Sequence, residues 1–417
     1  MSFLFLLLFM IITFLQPQEF IPGIKGFPLA YFTMLLLAVF WIFRIMLTQN
    51  FNFGRAQQNL LMIFLWGAIV LSTISVGWVS YTIDTFLEWA KIVIIYFLTI
   101  SIIENEKQLL KILRIIVFAM TINSIMGILQ YYGIDFTGVG MHLEGRIRGV
   151  GIFDTNQLAY GLCYTSPFIF LFIKVNKNMI KKILYFLIFL SYLYCIYLTQ
   201  SRGGLICFII TVFLIMNSFT NKNIVKTFSF FLSFLIFIVL IKIVPRFSST
   251  FSYQEDASAL GRIDAWANGL MIWKTTPIWG IGKGQFYEHF KIAAHSSYIE
   301  VLTEVGILGL FLWISLFYYS FKNLNKVSLT SLSNNISSNI AWSARTIRIS
   351  LIAYLIGSYF SSSAYYIPLF ILFAFAVVVQ RWAASSERSM FTVEDILKIL
   401  GIVVCIILLI HIVARTI

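Results

Sequence analysis

Apolar runs of about 18 residues or more recur from one end of this chain to the other, and no other feature limits its fold so strongly. A bilayer core takes roughly 20 residues of helix to cross, so runs of this length read as membrane spans. Along the 417 residues they give about thirteen, near 3–16, 27–47, 58–79, 83–103, 108–131, 157–175, 181–199, 203–219, 224–244, 297–321, 346–362, 365–382 and 396–414. With 60% hydrophobic and 11% charged residues, the composition excludes an ordinary soluble globular protein. The expected fold is an all-α polytopic membrane protein of about 12–13 transmembrane helices, with one long outer loop that contains an amphipathic helix.

Charge orients the spans, because short loops rich in Lys and Arg stay in the cytoplasm. The net charge of +13 is spread through such loops and forms no basic domain, which argues against nucleic acid as a partner. Lys107, Lys111, Arg114, Lys174, Lys177, Lys181, Lys182, Arg345 and Arg348 fall on one side, whereas the short loops opposite hold only Lys25, Arg146, Arg148 and Arg202. The N-terminus is therefore expected in the cytoplasm and the Pro245–Ser296 loop outside it. The first run lacks a basic leader and a small-residue cleavage site, so it reads as a membrane helix, not a signal peptide. The expected organisation is 1–244 with nine membrane helices, 245–296 as one long outer loop, and 297–417 with the remaining helices. The four cysteines sit in apolar runs, where a thiol behaves as a small hydrophobe, and form no disulfide or zinc pattern.

Inside the outer loop, GRIDAWANGLMIWKTTPIWG places Ile263, Trp266, Leu270 and Trp273 at helical spacing, an amphipathic helix expected to lie along the membrane surface. Segment 327–340 is Ser/Asn-rich and reads as a flexible cytoplasmic loop. The GIGKG run lacks the spacing and the Ser/Thr of a phosphate-binding P-loop, so its glycines read as a tight turn.

Arginine on the outer face runs against the charge rule and is costly near hydrocarbon, so it points to a cavity or a partner. Arg148 and Arg146 in RIRGVGIFDTNQLAYG, Arg202 in LTQSRGG, and Arg262 in ALGRIDAW meet that description. A guanidinium matches phosphate oxygens in a bidentate fork, so several together would suit a diphosphate-bearing lipid; the blander reading is a solvated helix-end arginine. His295 supplies an imidazole able to take a proton near neutral pH. Glu300 and Glu304 follow on one helical face, as dipole partners of the helix start or as groups that orient a histidine or bind sugar hydroxyls. Asn156 reads first as the N-cap of the sixth span and second as a sugar ligand. No Asp-x-Asp metal site, His/Cys cluster or nucleotide loop is evident, so the expected cofactor set is empty and metal ligands are none.

The segments RGVGIFDTNQLA, SRGG, GRIDAWANGLMIWKTTPIWGIGKGQF and HSSYIEVLTEVGILGL, in this order across 146–312, resemble the O-antigen ligase and O-antigen polymerase superfamily. That resemblance implies a metal-independent, inverting glycosyltransferase of the bacterial inner membrane with its active site facing the periplasm. Its donor would be an undecaprenyl-diphosphate-linked glycan, and its acceptor a second glycan or the lipid A-core. A chain-length regulator and membrane lipids would be further partners. The matching positions imply Arg202, Arg262 and His295 as catalytic, with Arg148, Arg146, Asn156 and Glu300 around the substrate. Many members carry Asn after the histidine, where this chain has Ser296. Polymerisation is the expected activity; ligation to lipid A-core, transfer to a protein, and transport of the lipid-linked glycan are the alternatives. Transport fits less well, since the polar residues gather on one face and in one loop and do not line a repeated midplane path.

Overall fold

In the computed structural model, residues 1–48, 56–74, 76–138, 140–141, 145–149, 154–219, 257–330, 337–383 and 391–414 are described, and every regular element among them is helical. In chain order the α-helices are α1 (Ser2–Leu15), α2 (Leu29–Thr48), α3 (Gln57–Ile74), α4 (Val79–Ile102), α5 (Glu106–Tyr131), α6 (Thr155–Val175), α7 (Met179–Thr199) and α8 (Arg202–Phe219), with a short 3-10 helix, Pro17–Glu19, after α1. There follow α9 (Ala257–Thr275), α10 (Gln285–Phe290), α11 (Ser297–Glu304), α12 (Gly306–Thr330), α13 (Ser338–Tyr359), α14 (Ile367–Ala383) and α15 (Val393–Ala414). Ten of these helices are long and apolar enough to cross a membrane, and α1 and α14 are shorter apolar helices. The chain is thus a polytopic helical membrane protein. The expected span at 224–244 lies outside the described residues.

Local chemistry sets the helix ends. Asn105, Asp154 and Asn178 are N-caps whose side chains accept from N–H groups two or three residues on, filling donors that a helix start leaves unpaired. The cap of α6 is Asp154, not Asn156: both types can cap, and Asp154 holds the extended backbone that the position needs. Pro167, inside α6, removes the donor that would meet the Cys163 carbonyl, and the Ser166 hydroxyl donates to that carbonyl instead at 2.9 Å.

Two expectations about element bounds are corrected. The run 297–321 is not one span: α11 ends at Glu304, and Gly306 (φ +73°) starts a separate α12. Segment 327–340 is not a loop throughout, since α12 continues to Thr330 and α13 begins at Ser338. Leu324 and Val327 are buried there, so packing carries the helix past the end of its most apolar stretch.

The chain forms two compact units, each assembled from three separate stretches. The first takes Met1–Asn52, Ser101–Ser248 and Leu324–Gly357; in it α6 packs on α5, α7 and α8, and α1 packs on α2 and α5. The second takes Phe53–Ile100, Ser249–Asn323 and Ser358–Ile417; in it α9 packs on α11 and α15, and α10 packs on α11.

Candidate active site

In the second unit, α9 buries Ile263, Trp266 and Leu270 to between 4 and 5% exposure, the stripe its spacing predicts. Trp273 departs from that stripe; it is half-buried and donates Nε1–H to the Pro277 carbonyl at 3.0 Å. Gly269 lets α9 approach α11 closely, since a Cβ there would lie 2.7 Å from Ile299 Cγ2. Arg262 is half-buried on this helix, one residue before the buried stripe begins.

The same helix fixes the backbone before His295. Trp266 Nε1 donates to the Ala294 carbonyl at 3.1 Å, and Ala294 is buried. On the other side Ser296 and Ser297 are buried at the start of α11. The Ser297 hydroxyl donates to the Ser361 carbonyl at 2.8 Å and accepts from the Ser363 N–H at 2.9 Å. Between these anchors His295 is exposed and holds a left-handed backbone (φ +50°). A non-glycine residue held in this region costs on the order of 1–3 kcal/mol, and such costs gather at functional sites.

The glycine run meets α11 backbone to backbone. Ile281 N–H donates to the Thr303 carbonyl at 3.0 Å, Gly282 N–H to the Glu304 carbonyl at 2.9 Å, and Ile307 N–H to the Pro277 carbonyl at 2.9 Å. The run therefore pairs carbonyls that the end of α11 leaves open. Gly280, Gly282 and Gly284 all have positive φ, as the tight-turn reading requires. Lys283 within the run forms an ion pair with Glu88 at 2.7 Å, and its carbonyl accepts from the Tyr81 hydroxyl.

Glu304 organises the loop twice. Its carbonyl takes Gly282, and its buried carboxylate accepts from the N–H of Phe286 in the first turn of α10 at 3.3 Å. Glu300 lies one turn earlier with one carboxyl oxygen shielded from solvent. Burial first, and then the Glu304 charge, push the Glu300 carboxyl well above the ordinary carboxylate range. Burial pushes Glu304 up to about 7, against the opposing N–H groups of Gly284 and Phe286 and the Lys283 charge. A carboxyl that binds its proton more tightly when folded stabilises the fold below its ordinary value of 4.5 and loses that contribution as pH rises through about 7. The melting temperature is therefore expected to fall between pH 4.5 and 7, and Glu304→Gln to flatten that slope in a pH series of thermal melts.

The first unit holds Arg146, Arg148, Asn156 and Arg202. Arg202 opens α8 and is half-buried, directly after buried Ser201 and left-handed Gln200 (φ +49°), a two-residue turn from α7. The second glycine of SRGG lets α8 meet α6, since a Cβ on Gly204 would sit 2.6 Å from Ala159 Cβ. Arg146 is 9% exposed; its Nε donates to the Thr199 carbonyl at 2.9 Å and its Nη2 to Asn156 Oδ1 at 3.1 Å. The backbone N–H of Arg148 donates to Gln130 Oε1 at 2.7 Å.

The seven candidates therefore divide, with Arg262, His295 and Glu300 in the second unit and the other four in the first. Sequence reading passed over Gln130, Glu304 as a loop clasp, and the serines at 297, 361 and 363. A triple serine at 361–363 between apolar helices was the available signal for the last group. Gln130 carried only the weak signal of a lone amide at the end of an apolar run. No curated protein matches the chain. Residues 186–314, from within α7 into the first half of α12, match the family model described as O-antigen ligase, which places a segment similar to that family within a chain of many membrane-spanning helices.

Proposed function

We propose that this protein is a glycosyltransferase of the inner membrane that takes a glycan from undecaprenyl diphosphate on the periplasmic side and adds it to another lipid-linked glycan, polymerising repeat units. The presentation of His295 carries the reading: an exposed imidazole on a strained backbone, anchored by Trp266 before it and Ser297 after it, inside the segment that matches the O-antigen ligase family. The segments GIFDTNQLA and AHSSYIEVLTEVG resemble polymerising members, which favours growth of a glycan over its ligation to lipid A-core.

In the mechanism, neutral His295 takes the proton of the acceptor hydroxyl as its oxygen attacks the donor's anomeric carbon. The bond from that carbon to the diphosphate oxygen breaks on the opposite face, so the configuration inverts. The bonding pair leaves with undecaprenyl diphosphate, and arginine guanidinium groups stabilise the charge that develops there. Arg262 takes this role in the second unit. Arg202 keeps the role that its SRGG motif implies, and Arg148 is the weaker candidate for an anion contact in the first unit. Glu300 is assigned to sugar hydroxyls.

A gel assay tests the reading, with purified protein, lipid-linked repeat units, a parallel tube containing lipid A-core, and His295→Ala as control. A ladder from donor alone is expected. A single shift that requires core would make the protein a ligase, and donor depletion with product only on added protein would make it a protein transferase. No covalent product from wild type in any tube would overturn the transferase reading and leave transport.

A further inference from the structure

Arg146 occupies an unusual position for a substrate-binding arginine. It is almost fully buried, and a buried guanidinium is costly unless its donors are met. Two of its acceptors belong to different helices: the carbonyl of Thr199, the last residue of α7, and Oδ1 of Asn156 in the first turn of α6. Nε and Nη2 form the side-on edge with which a guanidinium grips a phosphate, and both point to protein acceptors here.

The Thr199 carbonyl belongs to the turn from which Arg202 departs. The Thr199 hydroxyl oxygen accepts from Ser201 N–H at 3.3 Å, and Ser201 Oγ accepts from Gly204 N–H at 3.2 Å, in the first turn of α8. Gln200 between them is left-handed, so this turn has little freedom to relax without breaking those bonds. Asn156 stands three residues before Ala159, the residue that α8 meets at Gly204. A single side chain thus ties the α7–α8 turn to the helix that α8 packs against. Its own segment is fixed in turn, because buried Gln130 accepts from Arg148 N–H at 2.7 Å and its amide nitrogen lies 3.3 Å from Asp135 Oδ1 and 3.4 Å from the Gly140 carbonyl.

We propose that Arg146 is a positioning residue for the transfer reaction: through Thr199 and Asn156 it fixes the α7–α8 turn and thereby the direction from which the Arg202 guanidinium is presented. This rests on the role given above to Arg202. It replaces the expectation that Arg146 and Asn156 contact the glycan themselves.

The test compares Arg146→Lys, Asn156→Ala and the double variant in the ladder assay with varied donor. Lysine keeps the charge but cannot reach both acceptors in one plane. Arg146→Lys is expected to lower kcat roughly 10- to 100-fold, the scale of a small misplacement of a catalytic group, with donor KM within about threefold of wild type. Asn156→Ala should act in the same direction, and the double variant should lose less than the product of the single effects. A raised donor KM at unchanged kcat, or single effects that multiply, would place Arg146 on the donor and overturn the proposal.

A second readout needs no activity. The buried cysteines 163, 195 and 207 are shielded, so in a Cys405→Ser background an Arg202→Cys thiol is the site open to a charged thiol reagent. Adding Arg146→Lys is expected to change its labelling rate several-fold; an unchanged rate overturns the proposal. If the wild-type protein makes no product, the transferase reading fails while the labelling arm still decides the positioning role.

Discussion

Replacing His295 with alanine is expected to lower product formation by roughly 10²- to 10⁴-fold, the range for loss of a positioned general base, while the protein still inserts and melts close to wild type. The fold should tolerate the change because the Ala294 carbonyl and the Ser297 hydroxyl anchor the backbone on either side of this position. Alanine also accepts the left-handed backbone no worse than histidine does by more than a fraction of the strain already present (φ +50°). Arg262→Ala should give a comparable loss of about 10²- to 10³-fold, the effect of removing one donor aimed at developing charge. Single-turnover assays on detergent-purified variants, paired with thermal melts, decide both points. Normal ladders from both variants would remove the assignment.

The second large effect is structural. A methyl group on Gly306 would lie 2.1 Å from the Ile278 carbonyl oxygen, and one on Gly280 would lie 2.4 Å from the Glu304 carbonyl carbon and oxygen. Both glycines also have positive φ, 73° and 72°. Backbone strain of about 1–3 kcal/mol therefore adds to a clash with main chain that has no flexible end to yield. Gly306→Val or Gly280→Val should cost several kcal/mol, among the largest single-substitution effects, and be visible as a large fall in melting temperature and yield. Gly261→Ala is the internal control. It has nothing within 4 Å of its missing methyl group and sits in a helix, where alanine is favoured by up to about 1 kcal/mol. A drop for Gly261→Ala equal to that for Gly306→Val would mean that packing at the loop does not set the stability.

Much of the helical architecture was legible because a bilayer imposes one length on every crossing segment and the apolar runs carry that length openly. The turn at Gly306 was not, because hydropathy registers side chains and is silent about backbone dihedrals. GILGLF reads as apolar whether or not the helix restarts there. His295, Arg202 and Arg262 could be picked out as charge and imidazole in places where hydrocarbon makes them expensive. The work done by Glu304 could not, since its partners Gly282 and Phe286 are about twenty residues away in sequence and are known only through the folded contacts. Asn156 was misread as a cap for a subtler reason: Asp154, two residues earlier, has the same capping chemistry, and the two are told apart only by which one sits at the last non-helical residue.

The interleaving of the two units bears on how the protein is made. Translation delivers α3 and most of α4 early, whereas α9, α11 and α15 of the same unit follow only in the later half of the chain. The stretch 186–314 that carries the family match begins in one unit and ends in the other, with its start and finish held by neighbours outside it. Expressed alone, it would lack α15, against which the Arg262 helix packs, and α6, against which the Arg202 helix packs.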